Sequence, residues 1–131
     1  MKGYKQNIEK LTLANENFRQ VVYTAKFSQL VLMNLKPGEE IGEEIHDVDQ
    51  FFRFEKGTGQ AVVDGNFYDV ADGDAVIVPA GSKHNIINVS KTDSLKLYTL
   101  YSPPHHEDGI VRATKAEGMV ENEQFDGKTS E

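Results

Sequence analysis

Gly73-Asp74-Ala75-Val76-Ile77-Val78-Pro79-Ala80-Gly81-Ser82-Lys83-His84-Asn85-Ile86-Ile87-Asn88 reads as two short strands around a tight turn. Ala75–Val78 is a brief apolar run stopped by Pro79-Ala80-Gly81, and His84 then opens a second run with Ile86 and Asn88 on its own face, because residues two apart on a strand point the same way. Upstream, Gln60–Val63 and Phe67–Val70 flank Asp64-Gly65-Asn66, a hairpin turn whose Asp-Gly pair tolerates positive φ. Further out lie Gln50–Glu55, Ile41–His46, Gln29–Leu35 and Phe18–Ala25, cut by Lys56-Gly57-Thr58-Gly59 and Lys36-Pro37-Gly38. Downstream, Leu95–Tyr101 runs into Pro103-Pro104. Short β-rich runs punctuated by turn residues at this interval predict a sandwich or barrel. The stretch 7–17 fits either a turn of helix or an extra strand.

The 131 residues are one domain's worth, and 38% hydrophobic against 27% charged residues can bury a core. Eleven glycines suit a fold with many turns, and Gly38, Gly57, Gly73 and Gly81 read as turn devices. There is no cysteine, which excludes disulfides, thiolate zinc sites, thiol catalysis and iron–sulfur clusters. No apolar run approaches the ~18–20 residues of a membrane-spanning helix, so no membrane partner is expected. Met1–Gln6 has no apolar signal core behind it, so the expected location is cytoplasmic. The formal net charge of −7 argues against nucleic acid as a partner, since phosphate binding needs clustered Lys and Arg. Much of that charge sits in 107–131, where seven acids face three bases. The chain therefore divides into an N-terminal segment 1–26, a β-barrel 27–106, and an acidic tail or short helix 107–131 that reads as a solvated end.

Polar side chains converge in this pattern. Glu44 and His46 share one strand face, while Glu43 points away from it. The turn Asp47-Val48-Asp49 folds Gln50 back beside His46, with Phe52 and Phe54 on the face of Gln50. One face of every strand in a small barrel points inward. Glu44, His46, Gln50 and His84 would then meet in an apolar interior, where buried polar groups need a partner, and a cation with oxygen and imidazole ligands supplies one. Phe52, Phe54, Tyr98 and Leu100 read as core or pocket lining, and Asn88 as a structural hydrogen-bonding residue rather than a ligand. Pro103-Pro104-His105-His106 reads as a surface or barrel-mouth loop, because adjacent histidines point in different directions and make a poor chelate.

Two spacings stand out: Gly38-x5-Glu44-x-His46-x3-Gln50-x6-Gly57 and Gly73-x5-Pro79-x-Gly81-x2-His84-x3-Asn88. They resemble the two motifs of the cupin superfamily, G-x5-H-x-H-x3-E-x6-G and G-x5-P-x-G-x2-H-x3-N. The second agrees at every fixed position; the first has Glu44 for the first His and Gln50 for the Glu. The chain thus resembles a small single-domain cupin over roughly residues 30–100. That resemblance implies an all-β fold, the cupin double-stranded β-helix or jelly-roll barrel, with a short acidic C-terminal tail. It implies one divalent transition metal, Fe, Mn, Zn or Ni, held by Glu44, His46, Gln50 and His84. The single carboxylate has moved from the third ligand position to the first, leaving two imidazoles, one carboxylate and one amide.

Two functional classes follow. In the first, the protein is a metal-dependent enzyme acting on a small organic molecule by dioxygenase-type or isomerase-type chemistry, with Glu44 and Gln50 as catalytic groups able to handle a proton. In the second, it is a non-catalytic barrel that binds or senses a small molecule with weak or no metal. The resemblance also implies a homodimer, paired through the N-terminal strands.

Overall fold

The computed structural model describes residues 1–120 and 123–131. Helix α1 (Ile8–Ala14) is followed by strands β1 (Arg19–Thr24), β2 (Gln29–Leu35), β3 (Glu44–Ile45), β4 (Asp49–Lys56), β5 (Thr58–Val63), β6 (Asn66–Ala71), β7 (Ala75–Val78), β8 (Lys83–Asn88) and β9 (Leu95–Ser102). Strand β10 (Val111–Arg112) and helix α2 (Lys115–Val120) complete the order. The strands form two antiparallel sheets, β10-β1-β2-β9-β4-β7 and β3-β8-β5-β6, which face each other as a jelly roll. No helix among the described residues is long and apolar enough to cross a membrane.

The open question at the N-terminus resolves as a helix. Asn7 caps α1, its side-chain oxygen accepting from the Lys10 amide at 3.0 Å. The β5–β6 hairpin forms where expected, but Asn66 joins β6 and pairs with Val63, leaving a two-residue turn with φ of 47° at Asp64 and 79° at Gly65. The expected strand 41–46 shrinks to Glu44–Ile45, and Ile41 is held by a single backbone bond to Ile86. Gly57 takes φ +97°, and a Cβ there would lie 2.5 Å from the Ser94 carbonyl oxygen, so this turn admits no side chain.

The core lies between the sheets, around Val31, Met33, Leu35, Phe52, Phe54, Ile86, Leu95 and Leu97. Strand register sorts the inner face into rows. Met33, Leu97 and Phe54 stand side by side, then Val31, Thr99 and Phe52, then the polar row Gln29, Tyr101 and Gln50. The parity of β9 differs from the sequence reading. Leu97, Thr99 and Tyr101 are buried, while Tyr98 and Leu100 lie on the half-buried outer face, where Tyr98 packs near Phe51. Lys96 shares that outer face but is buried beneath α1, its Nζ donating to the Asn15 carbonyl.

The acidic C-terminal segment contains a short helix, α2, as one of its two readings had it; its described residues stay mostly exposed, yet their backbone ties them to the barrel. β10 pairs with β1, the Phe18 and Val21 amides donate to the carbonyls of Ala113 and Ile110, and Ser130 exchanges hydrogen bonds with the Thr24 backbone. The Glu131 carboxylate accepts from the Lys2 and Gly3 amides and from the Tyr23 hydroxyl. The outer edge of β1, expected to pair with a second copy, is thus taken by the chain itself. Asn88 is the structural residue it was read as: its amide donates to the carbonyls of Leu35, Lys36 and Asp93.

Gln29 fixes the loop after β9. Its Nε2 donates to Thr24 Oγ1 at 2.9 Å and to the His106 carbonyl at 2.8 Å, and its Oε1 accepts from the amides of His105 and His106. All four of its hydrogen-bonding positions are used inside the protein. Gln29→Leu is expected to lower unfolding stability by about 2–4 kcal/mol in urea titrations, because several buried backbone groups lose their partner; a loss within error would contradict this role.

His106 is buried and held neutral, its pKa pushed far down by burial first and then by the positive field of Arg19. The unfolded chain takes up a proton at this imidazole below about pH 6.5 and the folded chain does not, so stability falls as pH falls through that value, by up to about 1.4 kcal/mol per pH unit. In chelator-treated protein, His106→Gln should flatten the decline in urea midpoint between about pH 6 and 4.5. Superimposable pH profiles for the two proteins would refute the burial argument.

Candidate metal centre

Glu44 and His84 are direct cross-strand partners on β3 and β8, and His46 follows β3 immediately. The Gly81 amide donates to the His46 carbonyl at 2.8 Å, which clips the turn before β8 to the residue after β3. One ligand atom from each of Glu44, His46 and His84 lies within 4.8 Å of the others. Glu44 Oε2 and His46 Nε2 are 2.8 Å apart. Two ligands each about 2.1 Å from one ion and at right angles to each other stand about 3.0 Å apart, so this spacing fits a shared cation.

His84 carries the clearest signature. Its Nδ1 lies 3.0 Å from the Ser82 carbonyl oxygen, an acceptor only, so the ring proton sits on Nδ1 and Nε2 keeps its lone pair. That Nε2 is buried and makes no hydrogen bond among the described residues. An imidazole oriented by a backbone carbonyl through one nitrogen, with the other bare, is the arrangement of a metal-ligating histidine. Gln50 repeats the pattern: Nε2 donates to Thr99 Oγ1 at 3.0 Å, while Oε1 is buried and has no partner among the described residues. A buried amide oxygen left bare costs free energy unless something else satisfies it. Orphaned lone pairs on His84 and Gln50 therefore fit a bound divalent ion.

Burial works to raise the Glu44 pKa, but the His46 hydrogen bond and the fields of His46, Arg19 and His84 outweigh it and hold the carboxyl below its ordinary range. Glu44 is thus ionised at neutral pH, as a metal ligand must be.

Sequence reasoning placed two histidines at this site; the structure brings all four of the chain together. The His105 ring packs 4.2 Å from that of His46 and 5.2 Å from Tyr101, and His106 Nε2 lies 3.2 Å from the Tyr101 hydroxyl. Of the two readings of the loop 103–106, surface or barrel mouth, the second holds: His105 and His106 form a wall of the site. Burial, and after it the field of His46, lowers the His105 pKa to about 4. Burial likewise raises that of Tyr101, so phenol and imidazole are both neutral hydrogen-bonding groups. Glu44, His46, His105 and His106 line a cavity of about 650 Å³ whose walls include Arg19 from β1 and Gly118 and Met119 from α2. Arg19, Tyr101 and His105 were missed as site residues. The available signal was that the inner-face parity of Gln50 extends across β4–β9 to Tyr101.

A family model described as Cupin domain matches residues 31–101. The chain is 44% identical over 126 residues to the uncharacterized protein YrkC of Bacillus subtilis, spanning 91% of this chain and 67% of that protein. It is 47% identical over 112 residues to the uncharacterized protein L612 of Acanthamoeba polyphaga mimivirus, spanning 82% and 70%. The crystal structure of BH2720 from Bacillus halodurans superposes with a TM-score of 0.89 at 38% identity, covering 92% of this chain and 96% of that one. Motifs, double-sheet barrel and these matches agree: the chain belongs to the cupin family.

Proposed function

We propose that this protein is a metal-dependent cupin enzyme acting on a small organic molecule, with Glu44, His46, Gln50 and His84 as ligands of one divalent transition metal. The observation that carries this reading is the bare, buried Nε2 of His84, aligned by Ser82 beside the Glu44–His46 pair. A metal held there supplies Lewis acidity toward substrate oxygens, or one-electron chemistry if it is iron. The chain's own residues do the rest. Glu44, ionised and within hydrogen-bonding distance of His46, can accept a proton from a substrate carbon or hydroxyl and pass it on. His106 is part of the wall of the same cavity, with the Tyr101 hydroxyl 3.2 Å behind its Nε2. His105 and His106, with Gly118 and Met119 of α2, form part of the wall against which a substrate would lie. Two histidines with one carboxylate favour dioxygenase-type chemistry, and Glu44 as a base equally serves an isomerase-type proton transfer.

One observation supports the non-catalytic reading. Glu44 and His46 satisfy each other at 2.8 Å, so half of the ligand set is stable without an ion. Titration calorimetry with Mn(II), Fe(II), Ni(II) and Zn(II) separates the readings. One ion per chain is expected, with His84→Ala abolishing binding and Gln50→Leu weakening it at least about tenfold. Gln50→Glu, which adds a carboxylate, should tighten it. Absence of stoichiometric binding for every ion would overturn the enzyme reading. Given binding, oxygen uptake or isomer formation on a panel of diketones, catechols and hydroxy acids tests turnover.

A homodimer is part of the same proposal. Pairing through β1 would require residues 110–113 and Ser130 to release that edge, whereas exposed Tyr68 and Ile77, which line one surface groove, offer an apolar patch that needs no rearrangement. Sedimentation equilibrium should give twice the chain mass; a single-chain mass would contradict it.

A further inference from the structure

Arg19 is 7% exposed, yet its guanidinium has no ion-pair partner and makes no hydrogen bond among the described residues. It lies over the Phe18 ring at 5.3 Å to the centroid, and its Nη1 would be 3.2 Å from a Cβ at position 118. The absence of a side chain at Gly118 is what leaves room for it beneath α2. The guanidinium cannot shed its proton at any physiological pH; Glu44 and Glu123 feel its field, but no carboxylate among the described residues contacts it, and a buried cation left so is costly. Structural arginines in this chain are not left this way: Arg53 pairs with Glu55 and Arg112 with Glu123. Arg19 instead faces the same cavity as Glu44 and His46. Of the other charged or titratable groups that line it, Asp47 is exposed and solvated, and His105 and His106 are neutral. With a divalent ion on the ligand set, the ion and Arg19 together outweigh Glu44 and Asp47, so the cavity carries a positive surplus.

We propose that Arg19 is the anion anchor of this cavity, and that the ligand is a small carboxylic acid bearing a second oxygen function. Its carboxylate pairs with the Arg19 guanidinium while the second oxygen reaches the Glu44–His46–His84 group. This rests on the metal reading for the second contact but not for the first. A planar guanidinium suits a carboxylate, to which it can offer two parallel N–H donors. Emptying the cavity of its anion leaves the charge buried and bare, so Arg19 is kept at the expense of stability, as functional groups often are.

The test uses oxalate, malonate, succinate and glutarate as probes of graded length, with their uncharged dimethyl esters as controls. Binding is measured by calorimetry on chelator-treated and Mn(II)-loaded protein. At least one diacid should bind the wild-type chain more tightly than its ester. Arg19→Gln should weaken that diacid at least about tenfold, and Arg19→Lys should restore part of it. Mn(II) affinity, measured separately, should change little in either variant. Arg19→Met should melt no lower than wild type without ligand, which shows that the variants fold and that the arginine is not a structural support. If Mn(II) binds but Arg19→Gln leaves diacid binding unchanged, the anchor is refuted and the metal reading stands. If no metal binds while diacid binding to the chelator-treated protein still depends on Arg19, the anchor stands and the metal reading falls. If no diacid outbinds its ester in either state, the anchor is refuted.

Discussion

An imidazole nitrogen and an amide oxygen, both buried and both without a hydrogen-bond partner, set the terms for this structure. Among the described residues His84 Nε2 and Gln50 Oε1 are bare, while the other polar atom of each side chain, His84 Nδ1 and Gln50 Nε2, donates to the Ser82 carbonyl and to Thr99. Such groups persist in a fold when something outside the chain satisfies them. The rest of the architecture can be understood as the means of holding them still. β8 carries His84 opposite Glu44, the Gly81 amide clips the turn to His46, and the β4–β9 register sets Gln50 against Tyr101.

Polarity along the barrel axis keeps chemistry and stability apart. The inner rows built on Met33, Leu97 and Phe54 and on Val31 and Phe52 are apolar and fully packed. The row of Gln29, Tyr101 and Gln50 above them is polar and lies behind the His105–His106 wall of the cavity, through Gln29 to the His106 backbone and Tyr101 to the His106 ring. Gln29 uses every hydrogen bond it can make to position the His105–His106 backbone, so the wall of the site is held by a residue 77 positions earlier in the chain. The C-terminal segment then closes the assembly over β1, and α2 brings Gly118 down onto Arg19.

Strands and turns were legible in the sequence because period-two alternation and Gly-containing turns are local signals. The Asp64-Gly65 hairpin and the faces of Glu44, His46, Gln50, Phe52 and Phe54 follow from them directly. Tyr98 and Leu100 were assigned inward because β9 is apolar at nearly every position and gives no parity of its own; pairing with β4 supplies it. Adjacent His105 and His106 read as a surface or barrel-mouth loop, left undecided because nothing nearby in sequence points to Gln29. Arg19 was hidden for a related reason: Phe18–Thr24 mixes polar and apolar residues on both faces, so the run does not announce which face is buried. The acidic segment read as solvent-exposed by composition, whereas backbone pairing with the β1 edge orders it, and backbone groups leave no trace in composition.

X-ray absorption at the metal edge of protein loaded with one equivalent of Zn(II) tests the shared ligand set most directly. The account predicts two imidazole nitrogens with their outer-ring scattering, together with oxygen ligands, all at about 2.0–2.2 Å. An ion surrounded by oxygen alone, with no imidazole scattering, would contradict it.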